Sequence, residues 1–149
     1  MIPCLFQSMG AMKYIIFSDV HSNFEAIEGL SRAIKFIDHD KKVCLGDIVG
    51  YNADPNLVIE WICSEVDIVL AGNHDYAVLK KTDLNYFNSF AYQACAWTRG
   101  ALKKENKEFL EGLPIEKEED GICWVHSSPL EPTKWHYVSN LQSAVKNFD

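Results

Sequence analysis

The chain has few of the residues that mark disulfide-rich, fibrous or disordered proteins. Eight glycines and five prolines among 149 residues are too few for a low-complexity or collagen-like sequence. The five cysteines are odd in number and form no Cys-x-x-Cys pair, which argues against a disulfide framework and a zinc knuckle. We therefore expect reduced thiols and a cytoplasmic location, with Cys44, Cys63, Cys95 and Cys123 as small buried side chains.

Long apolar runs and basic clusters are also missing. No uninterrupted apolar run approaches the roughly 18 to 20 residues that cross a bilayer, so no membrane association is expected. Lys and Arg number 14 against 21 Asp and Glu, which gives a net charge of −7 and excludes nucleic-acid binding through bulk charge. If so acidic a chain acts on an anion, a bound metal ion is the most common device for holding it.

Short β-branched or aromatic segments alternate with longer segments of helical period. This alternation predicts βαβ units and an α/β fold with a largely parallel sheet. Strands are expected at 14–17, 42–45, 66–70 and 122–125, and residues 117–121 are expected to form a charged turn. Because Met12 directly precedes the first strand, residues 1–11 are interpreted as an N-terminal extension and residues 12–149 as the folded domain.

Helices are expected between and after these strands. The first follows an N-cap at Asn23, and the second begins at Pro55. Further helices are expected over 83–102, over 106–111 and from Asn140. In the helix over 83–102 an apolar series at helical spacing is expected to face the core, and it consists of Phe87, Phe90, Ala91, Ala94 and Trp97.

Side chains that can bind a metal follow all four predicted strands. They are Asp19 and His21 after the first, Asp47 after the second, Asn73 and His74 after the third, and His126 after the fourth. Because the carboxyl ends of parallel strands meet at one crevice, these side chains are expected to converge. Each alone fits an ordinary turn or strand end, but turns use Ser, Gly or Pro equally well. The coincidence therefore predicts a metal site with oxygen and imidazole ligands, suited to Mn, Fe, Zn, Co or Ni.

Two ions explain the chemistry of an acidic chain better than one. A bridging carboxylate holds two ions roughly 3.5 to 4 Å apart, and a water bound between them is acidified to hydroxide near neutral pH. Such a metal-bridged hydroxide attacks phosphorus in line, while the ions neutralise the phosphoryl oxygens. The sequence thus predicts a phosphoesterase that hydrolyses a phosphodiester or a phosphomonoester.

Three segments resemble the D-x-H, G-D and G-N-H-D/E motifs of the calcineurin-like metallophosphoesterases. The segments are Asp19-Val20-His21, Gly46-Asp47 and Gly72-Asn73-His74-Asp75. The similarity runs from Lys13 to the end of the chain and extends to a small bacterial and archaeal branch of phosphodiesterase type. It implies an α/β/β/α sandwich, with two facing sheets and helices outside.

The resemblance also implies a role for each matching residue. Asp19 and His21 would bind one ion, Asn73 and His126 would bind the second, and Asp47 would bridge them. Two divalent ions are implied, with manganese favoured, together with a small phosphorylated substrate such as a nucleotide.

The same resemblance implies two catalytic residues beside the ligands. His74 would be the acid or hydrogen-bond donor at the leaving oxygen, and Asp75 would orient its ring.

One part of the family pattern is missing. The family completes both metal shells with a Gly-His-x-His motif, whereas this chain contains no His-x-His and His136 stands alone. The sandwich is therefore expected to be incomplete at its C-terminus. This leaves open a second function, a non-catalytic metal-binding fragment or one completed by a second copy or by a complementing C-terminal chain. A Cys123–His126 nucleophile is disfavoured, since side chains three residues apart on a strand face opposite sides.

Overall fold

The structure is a computed structural model that describes residues 12–83 and 87–148. A parallel sheet of order β1-β2-β3 contains Tyr14–Phe17, Lys41–Cys44 and Ile68–Val69, and β4 (Glu116–Glu119) pairs antiparallel with β5 (Ile122–Val125). The helices are α1 (Phe24–Ile34), α2 (Pro55–Glu65), α3 (Asn73–Val78), α4 (Ser89–Ala101), α5 (Lys104–Glu111) and α6 (Leu141–Val145), with a 3₁₀ turn at Pro132–Lys134. Two successive βαβ units thus confirm the predicted α/β class.

The parallel sheet has a helical layer on one face and the β4–β5 hairpin on the other. Successive residues of a strand point to opposite faces, so Val43 and Cys44 of β2 belong to different clusters. Cys44 packs into the main core with the helices, whereas Val43 packs with Ile68 and Trp124 under the hairpin. The hairpin therefore supplies part of a second layer facing the sheet.

Three local predictions of secondary structure were wrong or incomplete. Residues 117–121 were expected to form a turn, but residues up to Glu119 belong to β4. No helix was predicted at Asn73 and His74, but they begin α3, where the Asp75 carboxylate accepts a hydrogen bond from the Gly72 N–H at 2.9 Å. The third strand is shorter than expected, since it comprises Ile68–Val69 alone.

The apolar face predicted over 83–102 was right for Ala91, which is buried, and for Phe87, which packs against the core, but wrong for Phe90 and Trp97. Phe90 is 79% exposed and Trp97 is 52% exposed, while Ala91, Cys95 and Thr98 are buried. The helix packs against α2 and α3 through these smaller side chains, which allow a closer approach. The hydrophobic period alone did not determine which side of α4 those neighbours cover.

The four cysteines within the described residues divide into two pairs. Cys44 and Cys95 are buried as expected, but Cys63 and Cys123 are exposed, and all four are free thiols. The expectation of burial was therefore wrong for two of them. Among the helices of residues 12–83 and 87–148, none is long and apolar enough to cross a membrane. The assignment of residues 1–11 as an extension lies outside the described residues.

Candidate metal centre

The loops that follow β1 and β2 are joined backbone to backbone. The Asp19 N–H donates to the Gly46 carbonyl at 3.0 Å, and the His21 N–H donates to the Asp47 carbonyl at 3.0 Å. Asp19, His21 and Asp47 all adopt left-handed backbone conformations, with φ of 57°, 49° and 51°. Such conformations persist only where the surrounding structure over-determines them, and they concentrate at functional sites.

Two glycines allow the loops after β2 and β3 to touch. A Cβ atom on Gly72 would lie 2.1 Å from Asp47 Oδ1 and 2.3 Å from the Asp47 nitrogen. Gly46 has a φ of +115°, and a Cβ there would lie 2.5 Å from the Gly72 nitrogen. The glycines of the G-D and G-N-H-D segments are therefore needed for the close approach that brings Asp47 next to α3.

Asp75 connects the same two loops through its fully buried carboxylate. Its oxygens accept hydrogen bonds from the backbone N–H groups of Ile48 at 3.0 Å, Val49 at 3.1 Å and Gly72 at 2.9 Å. This differs from the ring contact that was expected, because within the described residues the hydrogen bonds of the carboxylate go to backbone amides and none goes to His74. Asp75 thus fixes the loop that carries Asp47.

Asp47 lies at the centre of the donor cluster and is itself buried. Its Oδ1 accepts a hydrogen bond from the His74 backbone N–H at 2.8 Å. Its Oδ2 lies 3.7 Å from His21 Nε2 and 3.6 Å from His126 Nε2. These separations are too long for hydrogen bonds. They are close to the roughly 3 to 3.6 Å between two atoms that bind one ion at about 2.0–2.2 Å.

Both of these imidazoles are oriented by the backbone. Nδ1 of His21 lies 3.1 Å from the Val49 carbonyl oxygen, and Nδ1 of His126 lies 3.1 Å from the Leu45 carbonyl oxygen. Since a carbonyl only accepts, each Nδ1 donates its proton, and each neutral ring keeps a lone pair on Nε2. A backbone partner of this kind typically fixes the tautomer of a histidine that ligates a metal.

All five ligands predicted from the sequence lie together. Asp19 Oδ1 is 3.8 Å from His21 Nε2, and Asn73 Oδ1 is 3.2 Å from His126 Nε2. Two sets of three donors, His21 with Asp47 and His74, and Asp19 with Asp47 and His126, each lie within 4.8 Å of one another. Asp47 is common to both sets. His74, which the sequence listed among the possible metal donors and the resemblance assigned to the leaving group, is also close enough to contribute a donor.

The pKa values of the cluster are set by burial and by the charges of neighbouring side chains, which act in opposite directions at several residues. Burial opposes ionisation of Asp47, but His126 and His74 outweigh it and hold the pKa of that carboxyl below its usual value. Burial would lower the pKa of His126, but Asp47 raises it above the ordinary histidine value. For His74 burial prevails and lowers the pKa. Burial and the charge of Asp47 raise the pKa of Asp75 to about 7, against the pull of the three amides.

Sequence reasoning missed several groups around His74. The His74 ring contacts Tyr51 and Phe87 at centroid distances of 4.8 and 5.0 Å, and Cys95 Sγ lies 3.7 Å from its Nδ1. Trp135 contacts the His126 ring at 6.0 Å. The position of Tyr51 shortly after Asp47 was a usable signal. Cys95 gave none, because its contact depends on how α4 faces α3.

The donors line an open cavity of about 470 Å³. Carboxylate and amide oxygens with imidazole nitrogens suit divalent cations such as Mn, Fe, Zn, Co or Ni, and the cluster contains no thiolate. The Asp19 side chain is 60% exposed, so one side of the cluster faces solvent. The residues present therefore fit a divalent metal centre that a substrate can reach.

This fold, with oxygen and imidazole donors at the carboxyl ends of its parallel strands, defines a domain of the metallophosphoesterase type. The family model of the calcineurin-like phosphoesterases matches residues 12–144, and the chain belongs to that family. Over 127 residues it is 41% identical to an uncharacterized protein of Methanocaldococcus jannaschii, a match that covers 83% of this chain and 52% of that protein.

Solved structures show the same fold. The chain is similar to a metallophosphoesterase from Sphaerobacter thermophilus, with a TM-score of 0.78, 36% identity, and coverage of 93% of this chain and 56% of that one. A hypothetical protein from Pyrococcus horikoshii OT3 shares the fold, with a TM-score of 0.69, 21% identity, and coverage of 82% and 57%. The chain thus spans about half the length of the proteins it matches.

Proposed function

We propose that this chain carries the dinuclear centre of a phosphoesterase that hydrolyses a phosphomonoester or phosphodiester in the cytoplasm, with manganese as the favoured metal. The observation that carries the proposal is the position of Asp47 Oδ2, which lies 3.7 Å from His21 Nε2 and 3.6 Å from His126 Nε2. One oxygen between two imidazoles on opposite loops is the arrangement that a bridging ligand requires. The free thiols of the described cysteines suit a reducing compartment.

The assigned ligands would divide around this bridge. Asp19 and His21, whose Oδ1 and Nε2 atoms lie 3.8 Å apart, would share one ion, and Asn73 and His126, whose Oδ1 and Nε2 atoms lie 3.2 Å apart, would share the other. When bound, two divalent ions would supply positive charge for the phosphoryl oxygens and would lower the pKa of a bound water. This supply of positive charge explains how a chain of net charge −7 can hold a phosphate ester.

His74 would act at the leaving group. Its ring lines the cavity together with the metal donors, and its backbone N–H holds Asp47. Burial lowers the pKa of the ring, so near neutral pH it is mostly neutral and can donate a hydrogen bond to a leaving oxygen. Asp75 would serve this step indirectly, by fixing the loop that His74 also contacts.

The test uses 4-nitrophenyl phosphate and bis(4-nitrophenyl) phosphate with the manganese-loaded chain. We expect hydrolysis of at least one of them, its loss in Asp47→Ala, and a decrease of about 10² to 10⁴ in kcat for His74→Ala. Asp38→Ala is the matched control, because Asp38 is exposed and pairs with Lys13 at the opposite end of the sheet. Metal-loaded protein without turnover, or turnover that Asp47→Ala leaves unchanged, would contradict the proposal.

A second candidate is a metal-binding unit that needs a further polypeptide or a second copy for activity. It is favoured by the exposure of Asp19, which leaves the open side of the cluster free for a ligand from another polypeptide. Metal stoichiometry separates the two candidates. Two tightly bound ions in a chain with turnover support the enzyme. One weakly bound ion, with turnover only after a histidine-bearing partner is added, supports the alternative.

A further inference from the structure

The metal cavity continues into a second compartment of about 530 Å³. Both compartments are lined by Tyr51, Asn73, His74, Trp135 and Tyr137, so they form one continuous groove. The metal cavity is lined by Asp19 and Asp47, the predicted carboxylate ligands. The second extends away from them, and we call it the aromatic compartment. Its volume lies within the 300–1,000 Å³ typical of sites for small organic ligands.

Aromatic rings from separate parts of the chain frame this compartment. Tyr51 and Phe87 both pack against His74, at centroid distances of 4.8 and 5.0 Å from its ring. Trp135 approaches from the segment after the 3₁₀ turn and contacts Tyr76 at 5.4 Å. Ring faces on several walls suit a flat ligand, because flat rings stack on aromatic side chains with little dependence on hydrogen bonding.

Trp135 carries two independent signs of a functional position. Its backbone is left-handed, with a φ of 55°, which is rare and costly for a bulky residue. Its indole Nε1 is buried and has no hydrogen-bond partner among the described residues, although buried tryptophan N–H groups usually find one. The ring also contacts the predicted ligand His126 at 6.0 Å. Trp135 therefore lies at the junction between the metal donors and the aromatic compartment.

The charged groups that line the compartment have opposite signs. Lys134 and Asp83 both line it, whereas the metal compartment is lined by Asp19 and Asp47. The formal charges of Lys134 and Asp83 cancel, so the walls do not select a charged group over an uncharged ring.

We propose that the aromatic compartment binds a planar aromatic group of about the size of a nucleobase, as the organic part of the ester whose phosphate lies at the metal donors. The position of the phosphate rests on the proposed function. The binding of the ring does not, because it needs no metal.

The test is a titration of the metal-free chain with adenosine, which has the ring but no phosphate. We expect saturable binding, measured from the ¹H–¹⁵N spectrum and from tryptophan fluorescence, and at least fivefold weaker binding by Trp135→Leu. Trp135→Phe keeps a stacking face and should stay within about threefold of the wild-type affinity. Trp97→Leu is the matched control, since Trp97 is exposed on α4 and lines neither compartment.

A further variant and two further ligands complete the design. Tyr137 is 87% exposed, so Tyr137→Ala should fold normally and should also weaken adenosine binding, which keeps the test decisive if Trp135→Leu does not fold. Ribose should not bind. Benzyl alcohol shows whether a simple aryl ring suffices. Absence of saturable adenosine binding, or equal affinity in the wild type, Trp135→Leu and Tyr137→Ala, would overturn the proposal.

The two proposals fail in different ways. Adenosine binding without any phosphoester hydrolysis would leave this inference standing and refute the proposed function. Equal hydrolysis of adenosine monophosphate and glycerol phosphate, without adenosine binding, would refute this inference and leave the proposed function standing.

Discussion

The strand-end loops (residues 18–23, 46–51 and 71–75) and the C-terminal segment (residues 127–148) both form walls of the cavity, but they are held in different ways. Left-handed residues in the loops are fixed by backbone hydrogen bonds, close glycine contacts and the Asp75 carboxylate. The C-terminal segment also has a left-handed Trp135, yet several of its large apolar side chains face solvent, with Leu141 79% and Phe148 89% exposed.

The two regions are held differently, and the proposals give them different roles. Metal ligands must be held within a fraction of an ångström, which requires a rigid support. A wall that selects the organic group can vary without disturbing the ligands, and loops over a rigid scaffold are the usual place for such variation. The comparison predicts that substitutions in the loops have large effects on the free energy of unfolding and on metal binding, and that substitutions in the C-terminal segment have small effects on both.

The largest effect is expected for Gly72→Ala. The new Cβ would overlap Asp47 Oδ1 and the Asp47 nitrogen, which are fixed by the surrounding hydrogen bonds and cannot move aside easily. We expect the free energy of unfolding to fall by about 3 kcal/mol and metal binding to be lost. Chemical denaturation and calorimetric metal titration measure the two effects.

Gly100→Ala is the matched control for this substitution. A Cβ on Gly100 would meet nothing within 4 Å, and the residue lies inside α4. This variant should gain about 0.5 to 1 kcal/mol. Equal stability of the two variants would show that the loops are not packed as tightly as the structure indicates.

A smaller loss is expected for Asp75→Asn. The amide keeps one acceptor oxygen but directs N–H groups toward backbone N–H donors, so at least one of the amides of Ile48, Val49 and Gly72 loses its partner. We expect a loss of about 2 kcal/mol in chemical denaturation. Asp54→Asn is the control, because Asp54 makes no side-chain hydrogen bond at the α2 cap. The account fails here if both variants have wild-type stability.

Metal affinity should fall as the pH falls. Burial would lower the pKa of His126, but Asp47 raises it above the ordinary value, so the ring becomes protonated readily as the solution is acidified. A protonated Nε2 cannot bind a metal. We expect manganese affinity to decrease about tenfold per pH unit for each proton displaced, measured by calorimetry between pH 8 and pH 6. Equal affinity at both ends of this range would be the contrary result.

The smallest effect is expected for Leu141→Gln in the C-terminal segment. Because the side chain is 79% exposed, its replacement should change the free energy of unfolding by less than about 0.5 kcal/mol. Metal affinity should be unchanged. A loss above about 1.5 kcal/mol in the free energy of unfolding, or a change in the sedimentation coefficient, would show that this surface is covered in solution. The C-terminal segment would then be held as firmly as the strand-end loops, against the comparison.

The convergence of the ligands could be predicted because it follows from topology. Asp19, Asp47 and Asn73 each come a few residues after the end of a strand, and parallel strands bring their carboxyl ends to one edge. The family motifs then separated these residues from ordinary turn residues. The structure added the backbone bonds that set the tautomers of His21 and His126.

What could not be predicted depends on contacts between elements. The buried face of α4 is selected by α2 and α3, so the hydrophobic period placed Phe90 inside although it is exposed. The resemblance assigned Asp75 to the His74 ring, whereas the helix turns its carboxylate toward the loop after β2. No local pattern marks Trp135, whose position depends on the path of the C-terminal segment.

The most direct test of the central claim is anomalous diffraction from crystals of the manganese-loaded chain. The account predicts two peaks roughly 3.5 to 4 Å apart on either side of Asp47 Oδ2, one beside His21 and one beside His126. A manganese peak bound away from Asp47, or no ordered manganese at saturating metal concentration, would contradict it.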